Sequence, residues 1–410
     1  MADPRTRWMA RLAFLAAAAP VVLLLAVAGL RGSVALLLIG AAGMAVMLAG
    51  AFWFLSHRGF ARWIGAVVVL GAPVTVALLY ARQNLMWVVV ALAALWTAMV
   101  ACGRNALARV KHQPVHEVPP PRRPFLIMNP RSGGGKVVRF ELEKRARELG
   151  ADVALLTGDV PVTDLARQAL RDGADLLGVA GGDGTQALVA AVAAEAGVPF
   201  LVLSAGTRNH FALDLGLDRA DPAAGLAALT DGVELRVDLG RAGDRVFVNN
   251  VSFGAYAEVV RRPEYRDDKA RTALDLLPDL LTGQRGPHLR MRIGDREVAG
   301  PQAILVSNNP YGTDDVAGLG RRHGLDGGVL GVLAVRGLLL VRSTVTEVTV
   351  EADEPEIPAG IDGESVLLPT PVHCTISPGA LRVRVPRHRP TPPPELDWVR
   401  LRHLALARHR

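Results

Sequence analysis

The stretch Val179-Ala180-Gly181-Gly182-Asp183-Gly184-Thr185 places three glycines and one carboxylate where an apolar run gives way to an alanine-rich one. Leu176–Ala180 is short and apolar enough to be a buried parallel strand, and 186–195 reads as the helix that follows it. Glycines at a strand-to-helix turn let backbone N–H groups converge on an anion, and the helix N-terminus adds a partial positive charge. Such a turn can hold the phosphates of a nucleotide. Asp183 would repel a phosphate unless a cation lay between them, which casts it as an organiser of magnesium or its water shell. The plainer reading of these residues is a tight turn with an N-cap aspartate.

Two more loops have related chemistry. Asn129-Pro130-Arg131-Ser132-Gly133-Gly134-Gly135-Lys136 follows the apolar run 125–128, and Ser204-Ala205-Gly206-Thr207-Arg208-Asn209-His210-Phe211 follows 199–203. In open α/β sheets ligands sit beyond the carboxyl ends of the strands, so three glycine-bearing loops on one sheet edge point to a phosphate cradle. The first loop is not a Walker A loop: Pro130 stands where that motif needs glycine, and Val137 where it needs Ser or Thr. It can still offer N–H groups, the Ser132 hydroxyl and the Lys136 ammonium to a phosphate. The plain alternative is a surface loop with a solvated lysine.

These loops need a scaffold, and the pattern around them supplies one. From 125 to about 237 apolar runs alternate with helical patterns (125–128, 137–149, 152–156, 164–171, 176–180, 186–195, 199–203, 223–230), which predicts a parallel sheet covered by helices. From 235 onward come short alternating runs with turns (245–251, 288–293, 302–307, 328–335, 343–351, 380–385), which predict an antiparallel β domain. A proline-rich, basic stretch at 114–124 precedes both and predicts an extended spacer.

Half of the 410 residues are apolar and 21% are charged, and the apolar ones crowd the first hundred positions. The runs 12–30, 33–55, 63–80 and 85–102 each approach the roughly 20 residues that cross a bilayer as a helix, which predicts four spans. Arg5, Arg7 and Arg11 before the first run, Arg58 and Arg62 between the second and third, and Arg104, Arg109 and Lys111 after the fourth outnumber the single Arg31 and Arg82 of the other loops. The positive-inside rule then puts the N-terminus and everything after Cys102 in the cytoplasm. With no ionisable residue within a run, the bundle reads as an anchor.

The net charge of +7 suits an anionic membrane surface; with aromatics at 5% and no basic stripe interleaved with them, nucleic acid is a poor partner. Cys102 and Cys374 are too far apart in sequence for a CxxC pair. The tail 395–410, with Trp398, Leu401, Leu404 and Leu406 among arginines, predicts an amphipathic helix that either lies on the membrane or packs back onto the cytoplasmic lobes.

Taken together, the segment from Pro124 to Val385 resembles the diacylglycerol kinase catalytic-domain family, which also takes in sphingosine kinases and bacterial lipid kinases. The matches are the 129–136 loop, Gly181–Thr185, Gly206-Thr207 with Asn209 and Phe211, Val248-Asn249-Asn250 with Gly254, Leu325-Asp326-Gly327-Gly328, and Ile361-Asp362-Gly363-Glu364. A lone Gly-Gly-Asp-Gly-Thr also occurs in NAD kinases; the ordered set of six is specific.

Composition and run length divide the chain into a four-span membrane helical bundle (1–103), a Pro/basic linker (104–123) and a basic amphipathic tail (391–410), and the resemblance implies an α/β ATP-binding domain (124–237) and an antiparallel β-sandwich domain (238–390) between them, with the active site in the cleft between these two lobes. The resemblance assigns Asn129, Ser132, Gly133, Lys136, Thr157, Gly181, Gly182, Asp183, Gly184, Thr185, Gly206 and Thr207 to ATP, Asp326 to magnesium, and Glu364 together with Asp183 to catalysis. Glu364 is the general base that takes the proton of a lipid hydroxyl. The implied protein is a multi-pass inner-membrane lipid kinase using ATP and Mg2+, with a lipid substrate, no nucleic-acid partner, and a homodimer as an open option. A catalytically impaired membrane-bound lipid or nucleotide sensor, and a NAD kinase-like enzyme, are the alternatives.

Two residues depart from the family pattern: Arg208 and His210 stand where it commonly has Gly and Asp. Asp214 is the nearby acid that could restore the missing charge, and Arg208 could instead bind an acidic headgroup or a nucleotide phosphate. The plain reading is that Arg208 and His210 are solvated loop residues.

Overall fold

The computed structural model describes residues 4–57, 59–108, 113–158, 160–254, 288–312, 322, 324–336, 339–389 and 398–406. The basic residues Arg58, Arg109, Lys111, Arg408 and Arg410 used in the topology and tail readings lie outside them. The chain divides into two compact units, the first holding residues 1–112 and 393–410 and the second most of what lies between.

In the first unit, α1 (Pro4–Ser56), α2 (Phe60–Arg82) and α3 (Met86–Ala108) are three helices long and apolar enough to cross a membrane. The expected spans 63–80 and 85–102 fall within α2 and α3. The expected first and second spans share the 53-residue α1, which leaves helical geometry at Gly29 (φ 65, ψ −176). The polar residues 31–33 are too short an interruption to end a helix, and glycine's freedom at positive φ absorbs the break.

The second half of α1 runs antiparallel to α2 at close range. A Cβ at Gly50 would meet Val68 at 2.7 Å, one at Gly65 would meet the Phe54 backbone at 2.6 Å, and the Tyr80 hydroxyl donates to the Leu36 carbonyl at 2.7 Å. Small residues are what allow two apolar helices to approach in this way.

The tail forms a helix, Trp398–Leu406. Leu401 and Leu404 are buried with Ala10, Phe14, Ala106 and Leu107, Trp398 packs edge-on to Phe14 at 5.4 Å, and Arg11 Nε donates to the Ala405 carbonyl at 3.0 Å. The helix expected for the tail is there, and its contacts are with the ends of α1 and α3, where the expectation had named the membrane surface or the cytoplasmic lobes.

The second unit is built on four parallel strands, β2 (Pro124–Met128), β3 (Asp152–Leu155), β4 (Leu176–Ala180) and β5 (Phe200–Leu203), in the order β3-β2-β4-β5. Crossovers run through α4 (Lys136–Arg139) with α5 (Leu142–Glu148), α6 (Val162–Arg171) and α7 (Asp183–Ala196). The single helix expected over 137–149 is broken because Glu141 adopts φ 52. Beyond β5 come α8 (His210–Asp214) and a 3-10 segment, Pro222–Leu229. Alternation within a strand feeds both faces: Ile127 packs with Val179, Val189 and Phe200 on one side, while Leu126 and Met128 pack with Leu142, Leu176 and Leu226 on the other. Burying each such side chain is worth about 1.5–3 kcal/mol.

β6 (Gly232–Ala242) and β17 (Val372–Pro386) are long antiparallel strands that carry the sheet straight through the expected boundary at 237/238. The far end of β17 lies parallel to β5, and its near end pairs with β14 (Glu347–Ala352). β7 (Arg245–Phe247), β9 (Leu289–Ile293) and β10 (Arg296–Ala299) complete this sheet with β1 (Val115–Glu117).

A second, antiparallel sheet has the order β13-β12-β11-β8-β15-β16, from β8 (Asn250–Gly254), β11 (Ala303–Asn308), β12 (Leu330–Arg336), β13 (Leu339–Val345), β15 (Glu356–Ile361) and β16 (Glu364–Pro369). Met291, Val348 and Cys374 of the first sheet meet Phe253, Val306 and Ala359 of the second in one sandwich core.

The linker is extended, as expected, yet docked along its described part. Val115–Glu117 pairs with β6, Glu117 takes a bidentate pair from Arg387 (2.6 and 2.7 Å), and the Arg122 and Arg123 N–H groups donate to the Asp175 carboxylate. Its few hydrogen-bonding groups find partners on an open strand edge, which composition alone does not reveal.

Candidate active site

The three loops emerge side by side from the carboxyl ends of adjacent strands β2, β4 and β5, and they touch. Gly133 (φ 57) lies so close to the Ala205 carbonyl that no Cβ could fit, and a Cβ there would meet the Gly206 carbonyl at 2.8 Å. A Cβ on Gly206 would in turn meet the Gly181 carbonyl and the Gly182 Cα, both at 2.8 Å. The glycines thus do two jobs: they open N–H groups toward a ligand and they let three backbones pack without side chains between them. Gly182, like Gly134 in the first loop, faces open space where a Cβ would stand. It caps α7 from an extended conformation with no side-chain hydrogen bond to the first turn, which leaves the partial positive charge of the helix N-terminus available to an anion.

Side chains lock the rim. Asn209 (φ 55) accepts from Gly206 N–H at 2.8 Å and donates to the carbonyls of Ser204 (2.9 Å) and Gly206 (2.7 Å). Gln186 Nε2 donates to the Gly181 carbonyl at 2.9 Å. Lys136 Nζ reaches the carbonyls of Arg219 (2.8 Å) and Ser204 (3.3 Å), so it braces the third loop, and burial together with Arg219 and Arg139 lowers its affinity for a proton. Asn129 accepts from the Arg131 N–H at 3.0 Å, and Ser132 N–H bonds the Asn129 carbonyl at 3.1 Å. Thr157, just past β3, and Thr207 are exposed on the same rim.

Asp183 is buried in the first turn of α7, and its carboxylate accepts from the N–H groups of His210 (3.3 Å) and Phe211 (3.4 Å) at the start of α8. Its capping partner is α8, where the plain sequence reading made it a cap for its own helix. His210 is half-buried, and burial holds its imidazole below the ordinary histidine value against the opposing pull of Asp183 and Asp214. His210 is therefore not a solvated loop residue. Asp214 does not restore the missing acid either: its carboxylate is taken by the buried guanidinium of Arg322, with Nε at 2.6 Å.

Glu364 stands opposite. Asp362 (φ 47) and Gly363 (φ 87) make a two-residue hairpin between β15 and β16, with Ile361 paired to Glu364. Glu364 is exposed, yet its side chain lies across Gly184: a Cβ there would meet Glu364 Cγ at 2.6 Å and Oε1 at 3.3 Å. The turn brings this acid from the β lobe onto the glycine loop of the α/β lobe.

Asp326 sits exposed in the Leu325–Gly328 turn. Among the described residues no group of three or more His, Cys, Asp or Glu side chains gathers in a way that could hold a metal by itself. Magnesium does not require such a group, since it keeps several waters and binds through one or two carboxylates plus phosphates. Asp183, with only long N–H contacts, fits that demand.

Three residues escaped the sequence reading. Asp362 accepts from the N–H groups of Val248 (2.8 Å), Asn249 (2.8 Å) and Asn250 (3.0 Å), and burial, with nearby Asp183 adding to it, pushes its carboxyl up to about 7. Asp238, buried, accepts from Gly328 N–H (2.6 Å), Gly379 N–H (2.7 Å) and Asn309 Nδ2 (3.0 Å), pinning the Asp326 turn. Arg322 is the third. Asparagine pairs at strand ends, Asn249-Asn250 and Asn308-Asn309, were the available signal that polar groups are buried here.

Comparison with known proteins agrees with this geometry. The family described as "Diacylglycerol kinase catalytic domain" matches residues 123–242. A diacylglycerol kinase of Mycobacterium tuberculosis (strain ATCC 25618 / H37Rv) is 31% identical over 171 residues, covering 40% of this chain and 51% of that protein. One from Staphylococcus epidermidis (strain ATCC 12228 / FDA PCI 1200) is 34% identical over 146 residues, covering 34% and 45%. The chain thus spans about half the length of these curated relatives. A solved structure from Bacillus anthracis str. Sterne covers 65% of this chain and 96% of its own at 17% identity and TM-score 0.51, which shows a shared fold. By the profile match and the two relatives, residues 123–242 are similar to the diacylglycerol kinase catalytic domain.

Proposed function

We propose that this protein is a membrane-anchored lipid kinase that transfers the γ-phosphoryl group of ATP, with Mg2+, to a hydroxyl of a diacylglycerol-like lipid. The observation that carries the reading is the Glu364 side chain lying over Gly184, which brings a proton acceptor from one lobe onto the phosphate loop of the other. Transfer of a phosphoryl group to an alcohol is mostly positioning and charge neutralisation. The loop N–H groups and the N-terminus of α7 bind and orient the phosphates, with Asn129, Ser132, Gly133, Thr157, Gly181–Thr185, Gly206 and Thr207 on the contacting rim. Magnesium, held by Asp183 and the phosphates with Asp326 beside the cleft, would supply charge neutralisation. Glu364 takes the hydroxyl proton at a carboxylate oxygen as the new bond forms.

The apolar helices favour a membrane-dissolved acceptor. A tethered enzyme meets such a substrate at high effective concentration, and the distribution of basic residues supports a catalytic unit on the cytoplasmic side. A second reading, a membrane-bound sensor of impaired turnover, is favoured by His210 standing where the family has an acid and by the capture of Asp214 by Arg322. Labelled ATP supplied to the purified chain with a total lipid extract decides between them. A kinase yields a labelled lipid, and Glu364→Gln loses that product at least 100-fold while still binding ATP. Label confined to soluble nucleotides, or none transferred by the wild type, refutes the lipid kinase.

A further inference from the structure

Arg322 is fully buried, and its guanidinium bonds partners on several elements. Nε donates to Asp214 Oδ2 (2.6 Å), Nη1 to the carbonyls of Val248 (2.6 Å) and Asn308 (2.8 Å), and Nη2 to Asn249 Oδ1 (2.6 Å). Its Cζ lies over the Tyr311 ring, 5.8 Å from the ring centre. Burial works most strongly against its charge, but Asp214, Tyr311 and Asp362 together outweigh burial and hold the guanidinium above its ordinary value.

These bonds close a circuit. Asp183 caps α8 through the N–H groups of His210 and Phe211. One turn on, Asp214 ends α8 and binds Arg322. Arg322 fixes Val248 and Asn249 from their carbonyl and amide side, while Asp362 fixes the same residues from their N–H side. Asp362 begins the two-residue turn that delivers Glu364 onto Gly184, the neighbour of Asp183. Apart from the close approach of Glu364 to Gly184, every link is a hydrogen bond, an ion pair or a single turn of backbone.

We propose that Arg322 is a positioning residue that sets the placement of Glu364 against the Gly181–Thr185 loop, acting through Asp214 and α8 on one side and through Val248–Asn249 and Asp362 on the other. This rests on the kinase reading for its catalytic consequence, though not for the circuit itself. A guanidinium is needed because the four acceptors must be met by one rigid planar fork; a lysine ammonium keeps the charge and loses the geometry.

The test uses the full chain in detergent and three forms: wild type, Arg322→Lys, and Asp214→Leu with Arg322→Met together. Replacing both members of a buried pair by apolar residues commonly preserves stability, so the double variant keeps the experiment interpretable if the lysine variant folds poorly. Two readouts are taken. Amide exchange at Val248, Asn249, Asn250 and Phe211 is expected to speed at least tenfold in the double variant at unchanged melting temperature. Lipid phosphorylation is expected to lose about 100-fold in kcat, the scale of a misplacement near 1 Å, with KM for ATP within about twofold. Unchanged exchange at those amides overturns the circuit whether or not the wild type phosphorylates lipid. Faster exchange with unchanged kcat overturns the positioning role. A wild type without turnover refutes the kinase reading instead, leaving the exchange result to decide the circuit.

Discussion

Gly184→Ala isolates the step on which catalysis is proposed to turn. Gly184 lies in the first turn of α7 and is not among the positive-φ glycines, so the backbone accepts alanine without strain. The new methyl would sit 2.6 Å from Glu364 Cγ and 3.4 Å from Cδ, where carbon pairs prefer about 3.5–4.0 Å. Glu364 is exposed and flexible, so it yields by about 1 Å rather than straining the fold. Stability should hold or rise slightly, since alanine in a helix is worth up to about 1 kcal/mol over glycine. Turnover should not hold: a misplacement of that size costs on the order of 100-fold, about 2.7 kcal/mol of barrier. The assay is kcat with lipid at saturating ATP, alongside calorimetric nucleotide affinity and a melting curve. Turnover within threefold of the wild type would refute the reasoning. So would a loss of nucleotide affinity as large as the loss of turnover, because Gly184 would then serve the phosphates and not the spacing of Glu364.

Other outcomes follow from buried groups. Asp362 has a folded-state carboxyl raised to about 7 by burial, above its unfolded value near 3.9, so the folded chain binds the proton more tightly. Its contribution to stability is fully present below about pH 4 and is lost as pH rises through about 7; melts from pH 5 to 8 should show this fall, and Asp362→Asn should flatten it. Turnover should run the other way, rising with pH through about 7 as the ionised carboxylate becomes able to accept all three N–H groups; a flat rate profile from pH 6 to 9 would count against it. Leu401 is fully buried against α1 and α3, so Leu401→Ala should cost about 2–5 kcal/mol in the helical unit, read as a lower melting temperature in detergent with catalytic-unit exchange unchanged.

The local sequence determined the parallel strands, the three glycine loops after them and the greasy helices, because each depends on short-range patterning: a period of two, apolar run length, and the freedom of glycine at a turn. The glycine turn around Asp183 was legible for the same reason, whereas the role of Glu364 came from the family resemblance. Other features depended on distant partners. The linker and tail docked because open strand edges and bare helix ends elsewhere in the chain received them. The sheet crossed 237/238 because β17 returns from more than a hundred residues away to extend it. Arg322 and Asp238 look like ordinary loop and strand charges in the sequence, and Asp214 and Asp362, though noticed there, give no sign of their buried partners. Burial gave them roles, since a charge removed from water must find its partners within the fold, and only the tertiary structure decides which partners are within reach.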